Sequence, residues 1–218
     1  MNKKRAAVLI GTLMMILLLG GCAGGDRRTG RFLLYEQYRT DLSRLGSGLK
    51  DAFVFSVITD KKVVTITFDD GPSKSSDKIL STLKRLDTPA TFFLVAANVT
   101  LENFSPYRDA LFGTELHGYL HSNFLSLDRE SSFAQVSRAR TAFATLGIKP
   151  EYFRPPYGNI TVDLKDALRA NNLTGILWSL DSLDWNHLAG DKLVQRVVSN
   201  VTNGDIILFH ETPWTAKR

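Results

Sequence analysis

A chain of 218 residues, 44% hydrophobic and 22% charged, has the material for one domain with a full core, which excludes disordered and fibrous classes. Its formal net charge of +5 is concentrated at the start: Lys3, Lys4 and Arg5 precede any acid, and the rest of the chain carries 24 basic against 22 acidic residues. That near balance excludes a nucleic-acid footprint.

Residues 1–21 read as an export signal, with a basic start, an apolar run from Ala6 to Leu19 and then small residues. At 14 residues the run is shorter than the ~20 a helix needs to cross a bilayer. Leu19-Gly20-Gly21-Cys22 resembles a bacterial lipobox. Cys22 is therefore the expected lipid attachment point, and the chain is expected outside the cytoplasm, anchored to the cell membrane. An ordinary signal peptide with an incidental cysteine is the alternative. Cys22 is the only cysteine, so no intrachain disulfide can form.

Residues 22–31 are Gly- and charge-rich and suit a tether. Within 32–58, Leu34, Tyr38, Leu42 and Leu45 recur at helical spacing up to Gly46, predicting an amphipathic helix and a lead-in to a domain over 59–218. Strand-like and helix-like segments then alternate. Val63–Thr67 is β-rich, and Ile79, Leu80, Leu83 and Leu86 predict a helix begun by Ser75 or Ser76. Ala90–Val95 is a strand; Phe133, Val136, Phe143 and Leu146 mark a helix stopped by Gly147; Tyr152-Phe153 leads into Arg154. Leu164, Ala167 and Leu168 lie on a helix, and Gly175–Leu180 is one buried strand. Val194, Val197, Val198 and Val201 predict a helix before Asn203-Gly204, and Ile206–Phe209 is the last strand. Such alternation argues for a parallel sheet covered by helices, in one α/β domain.

The chemistry-bearing residues follow these strands or end them, where α/β barrels gather catalytic groups. Asp69-Asp70 comes directly after a hydrophobic strand, and alternation points the two carboxylates in different directions. His117 and His121, four apart, would share a face if helical and chelate one ion through neutral imidazoles. A metalloprotease would place glutamate at the second position, but this chain has Gly118, so a base must come from elsewhere and Asp69 is available. Arg154 can orient a carboxylate by bidentate hydrogen bonds, and Pro155-Pro156 pre-set the chain so that the Tyr157 N–H can face a developing oxyanion. Asp181 and Asp184 lie at a strand end, and a carboxylate beside His210 would keep it protonated as a general acid. Trp185 and Leu208 would wall a small apolar pocket. Taken singly, each feature has a plainer reading as a solvated turn, a surface histidine pair, a salt-bridged loop or core packing.

The ordered set Thr67-Phe-Asp-Asp-Gly-Pro72, His117-x-x-x-His121, Arg154-Pro-Pro-Tyr-Gly158, Asp181-Ser-x-Asp-Trp185 and Leu208-x-His210 resembles the NodB-like polysaccharide deacetylases, a carbohydrate esterase family. The resemblance runs from about Val63 to His210. It implies a single distorted (β/α) barrel with a divalent metal, usually zinc, with cobalt or another divalent ion as alternatives, that removes N- or O-acetyl groups from sugars. It further implies Asp70, His117 and His121 as metal ligands and Asp69 as the base toward water, held by Arg154. The Tyr157 amide would stabilise the oxyanion, and Asp184, directly before Trp185, would tune His210 as the acid. Two departures stand out. Gly118 replaces a Thr or Ser common in the family, which is expected to loosen that loop. Only eight residues follow His210, where the family continues into a closing helix, so that helix is expected to be missing. The expected substrate is N-acetylated cell-envelope polysaccharide, first peptidoglycan N-acetylglucosamine, then poly-N-acetylglucosamine, chitin oligomers or acetyl xylan, met by a monomer. The alternative is a non-catalytic glycan-binding surface lipoprotein.

Overall fold

In this computed structural model the described residues are 52–217, so the expected signal segment, Cys22, the tether and the helix carrying Leu34 to Leu45 lie outside them. The strands are β1 (Phe53–Val54), β2 (Thr65–Gly71), β3 (Ala90–Leu94), β4 (Phe112–Leu116), β5 (Tyr152–Phe153), β6 (Thr174–Ile176), β7 (Leu180–Asp181) and β8 (Ile206–His210). Helices α1 (Ser76–Arg85), α2 (Leu101–Phe104), α3 (Arg129–Thr145), α4 (Val162–Ala170) and α5 (Gly190–Asn200) occupy the connections. All pairings between these strands are parallel, in the order β1-β6-β5-β4-β3-β2-β8-β7.

The segment expected as one strand from Gly175 to Leu180 is instead two short strands. β6 pairs with β5 and β1, after which the chain changes partners: the Ser179 N–H bonds to the Ile206 carbonyl at 3.0 Å and β7 runs beside β8. One bent run thereby joins both sides of the sheet, which makes the expected barrel distorted. A strand that switches neighbours cannot keep one regular ladder, and periodicity does not report that switch.

The core explains the strands. β3 is buried along its whole length, with Phe92, Phe93 and Leu94 wholly inaccessible. Each such side chain contributes about 1.5–3 kcal/mol relative to exposure. Phe68 of β2 stacks on Phe92 at 5.1 Å and on Phe209 at 5.6 Å, tying three neighbouring strands on one face. α1 turns Ile79, Leu80 and Leu83 inward, with Asp77 in its first turn and Lys84 and Arg85 in its last, the arrangement the helix dipole favours. Leu86, expected with that stripe, caps the helix and is exposed. In α5, Leu193 is buried and Val197, with Val201 just beyond the helix, packs partly on Val64, Leu180 and Ile207, whereas Val194 and Val198 face outward.

Three elements escape the sequence pattern. β1 lies in the stretch expected as a lead-in before residue 59, yet it joins the sheet beside β6, with Phe53 packed on Gly175. β4 reads Phe-Gly-Thr-Glu-Leu, too polar in its middle to signal a buried strand. Its Glu115 is nevertheless buried, because its Oε2 accepts the Glu151 and Tyr152 N–H groups at 2.9 and 2.8 Å. α2 has only four residues and is set by a reciprocal cap between Thr100 and Asn103. Among the described residues, no helix is long and apolar enough to cross a membrane.

Candidate active site

The carboxyl ends of β2, β4, β5, β7 and β8 meet at one end of the barrel. Asp69 is in register with Phe93 on one side and His210 on the other, and is buried. The β2–β3 register then shifts between Asp69 and Gly71, and Asp70 takes a φ of 71°. This bulge, rather than simple alternation, aims the second carboxylate, and aspartate is among the few non-glycine residues that tolerate the left-handed region.

His117 leaves the end of β4 with its N–H on the Leu94 carbonyl at 2.9 Å. The expectation of a shared helical face is not met. Gly118, at φ 82°, and His121, at φ 56°, fold a tight loop that returns the second imidazole to the first, with ring centres 5.0 Å apart. Nor is that loop loose at Gly118. The Gly118 and Tyr119 carbonyls accept from Ala96 and Ala97 at 3.1 and 3.0 Å, while Gln135 Oε1 accepts the Tyr119 and Leu120 N–H groups. Glycine suits a backbone turned this way, where Thr or Ser would be strained.

Asp70 Oδ1 lies 3.3 Å from His117 Nε2 and 3.0 Å from His121 Nε2, and these three atoms all fall within 4.8 Å of one another. His117 Nδ1 is 2.8 Å from the Arg154 carbonyl, which only accepts, so the neutral ring carries its proton there and turns a bare Nε2 lone pair toward Asp70. Asp70 Oδ1 is itself buried with no hydrogen-bond partner. Converging lone pairs around an orphaned carboxylate oxygen are the donor set of a divalent cation, and these residues fit one.

Arg154 backs this cluster and is wholly buried. Its Nη1 donates to Asp69 Oδ1 and to Thr67 Oγ1, both at 2.7 Å, and its Nη2 donates to the Leu177 carbonyl at 3.0 Å. The expected bidentate grip on one carboxylate is therefore replaced by a three-way grip, since Thr67 occupies the same inward row of β2 as Asp69. The guanidinium also lies 4.1 Å from the centre of the Phe93 ring. The remaining Asp69 oxygen, Oδ2, stands 3.7 Å from His117 Nε2.

Asp184, not Asp181, is the partner of His210. Its Oδ1 lies 2.8 Å from His210 Nδ1, its Oδ2 accepts the His210 backbone N–H at 2.7 Å, and the Thr215 hydroxyl donates to the same Oδ2. Burial disfavours the His210 cation, but Asp184, with the nearby charges of Asp69 and Asp70, pushes its pKa up to about 9. Asp181 holds the turn instead, accepting the Leu183 N–H at 2.8 Å and the Trp185 indole N–H at 3.3 Å. Trp185 is half exposed, while Leu208 is only 2% accessible. Tyr157 takes a φ of 61°, and its exposed ring meets His121 edge-on at 4.8 Å.

One buried acid at this end of the barrel escaped the motifs. Glu211 packs against Gly71 with its carboxylate on Tyr107 and Ser76. The only signal was its place directly after His210.

The comparisons with known proteins agree with this geometry. Residues 56–176 match the family model for polysaccharide deacetylase. The chain is 33% identical over 168 residues to a peptidoglycan-N-acetylglucosamine deacetylase of Bacillus cereus, covering 75% of this chain and 61% of that relative's length. It resembles a family 4 carbohydrate esterase from Streptomyces lividans solved in complex with acetate, with 36% identity and a TM-score of 0.64 over 69% of this chain and 79% of that one. It also resembles a pseudoenzyme of the same esterase family from Bacillus anthracis, with 27% identity and a TM-score of 0.71 over 75% of this chain and 60% of the other.

Proposed function

The chain belongs to the polysaccharide deacetylase family, and from that premise we propose that it hydrolyses acetyl groups from N-acetylated cell-envelope polysaccharide, with peptidoglycan N-acetylglucosamine as substrate. The observation that carries this reading is the meeting of an Asp70–His117–His121 donor set with a buried Asp69–Arg154 pair and a His210–Asp184 pair. The likeness to the Bacillus cereus enzyme supports the choice of substrate. So does the lipid tether at Cys22 expected from the sequence, which would hold the domain outside the membrane beside the wall.

In this mechanism Asp70, His117 and His121 hold a divalent ion, zinc with cobalt as its replacement, which when bound acidifies water and polarises an acyl oxygen. Asp69, oriented by Arg154, takes a proton from the attacking water as its oxygen bonds to the acetyl carbon. The Tyr157 N–H donates to the acyl oxygen as charge develops there. His210, held protonated by Asp184, gives its proton to the sugar nitrogen as the C–N bond breaks, so acetate and a free amine leave. Trp185 and Leu208 wall the acetyl pocket.

The likeness to a pseudoenzyme favours a second reading, a glycan-binding protein without turnover. Retention of Asp69, Arg154, Asp184 and His210 argues against it, because binding requires no proton-transfer groups. Acetate release separates the two. Purified protein is expected to release acetate from peptidoglycan faster than from chitin oligomers, poly-N-acetylglucosamine or acetyl xylan, and Asp69→Asn is expected to abolish it. Glycan binding with no acetate from any polymer would leave the binding reading standing.

A further inference from the structure

Glu211 occupies a place that the proposed chemistry does not explain. It follows His210 directly and is 3% accessible. Its main chain grips both sides of the ligand-bearing turn. The Glu211 N–H donates to the Asp69 carbonyl at 2.9 Å, and the Ser73 hydroxyl donates to the Glu211 carbonyl at 2.6 Å. Its side chain passes against Gly71, where a Cβ would stand 1.7 Å from Oε1. Beyond Gly71, Oε2 accepts the Tyr107 hydroxyl at 2.6 Å and the hydroxyl of Ser76, the first residue of α1. Ser76 Oγ in turn accepts the Ser73 N–H at 2.7 Å.

Asp70 at φ 71° sits in a sparsely populated conformation that persists only where its surroundings over-determine it. The residues on either side of it, Asp69 and Gly71, are the ones Glu211 holds. We propose that Glu211 is a positioning residue: it clamps the Asp69-Asp70-Gly71 turn to the end of β8 and so fixes the metal-ligand carboxylate and the base relative to His210. Gly71 is the matching half of the device, because only a residue without Cβ leaves room for the carboxylate. The proposal rests on the metal-dependent reading above, since what it positions is the ligand set.

The test measures zinc affinity of the full chain by chelator competition, together with kcat and KM for acetate release. Glu211→Ala is expected to weaken zinc binding about 10- to 100-fold, the usual effect of removing a residue that supports a ligand, and to lower kcat while KM stays within about twofold. Glu211→Gln, whose amide oxygen can take the same two hydroxyls, is expected to recover most of both. Tyr107→Phe keeps the shape, removes one tether, and is expected to weaken zinc at least about threefold. Wild-type zinc affinity in Tyr107→Phe and in a folded Glu211→Ala overturns the proposal. If Glu211→Ala does not fold, Tyr107→Phe decides alone. A wild-type chain that binds no zinc and releases no acetate refutes the metal-dependent reading itself, a different outcome.

Discussion

Arg154 Nη1 lies 2.7 Å from Asp69 Oδ1, and the two side chains are 0% and 3% accessible. A charge pair this deep is held together by mutual need, since removing either partner strands the other without water. Arg154→Ala is therefore expected to cost about 3–5 kcal/mol of stability in denaturant unfolding. Arg154→Lys keeps the charge but cannot reach Asp69, Thr67 and the Leu177 carbonyl at once, so kcat is expected to fall further than stability does.

The His210–Asp184 pair sets a pH dependence. In the proposed mechanism His210 serves as the acid only while protonated, and its pKa is pushed up to about 9, so kcat/KM is expected to fall as pH rises through that region. A bound divalent ion cancels part of the Asp70 charge that helps raise it, which makes about 9 the upper end of the range. Asp184→Asn removes the largest upward influence. The basic limb is then expected to move at least about one pH unit lower in the pH–rate profile. An unmoved limb would mean that another group supplies the proton.

The donor set makes a stoichiometric prediction. Titration calorimetry is expected to find one zinc per chain, with His121→Ala and Asp70→Ala each losing it. Zinc at about 100 times its dissociation constant is expected to add about 2.7 kcal/mol of stability in wild type and none in those variants.

Two buried glutamates predict the pH dependence of stability. Burial raises Glu211 to about 7 and Glu115 to about 8, against an ordinary value of 4.5 for both. The folded state therefore binds protons more tightly than the unfolded state. This contribution is fully present below 4.5 and is lost as pH rises through 7 for Glu211 and 8 for Glu115. For Glu211 the loss is about 3 kcal/mol. Thermal melts of Glu115→Gln, whose amide oxygen can still accept the Glu151 and Tyr152 N–H groups, are expected to show a flatter decline between pH 5 and 8.

Much of this was legible in the chain. β3, α1, α3 and β8 announce themselves through dense or periodic apolar residues, and the ordered motifs point to the family. What stayed hidden depends on backbone irregularity. His117 and His121 meet through left-handed turns at Gly118 and His121 instead of through a helix, and Asp70 points correctly because of a bulge. The distinction between Asp181 and Asp184 needed distances, since both carboxylates stand at one strand end and both are hydrogen-bonded. Glu211 was invisible because a buried acid after a final strand has no periodicity to betray it, and its partners Ser76 and Tyr107 lie more than 100 residues away.

The central claim is that Asp70, His117 and His121 hold the ion on which acetyl hydrolysis depends. Acetate release from peptidoglycan by chelator-stripped protein, followed as zinc is added back, tests it most directly. The expected result is no release without metal, recovery to a plateau at one zinc per chain, and no recovery in His117→Ala. Undiminished release from the stripped protein, or full recovery in His117→Ala, would contradict the account.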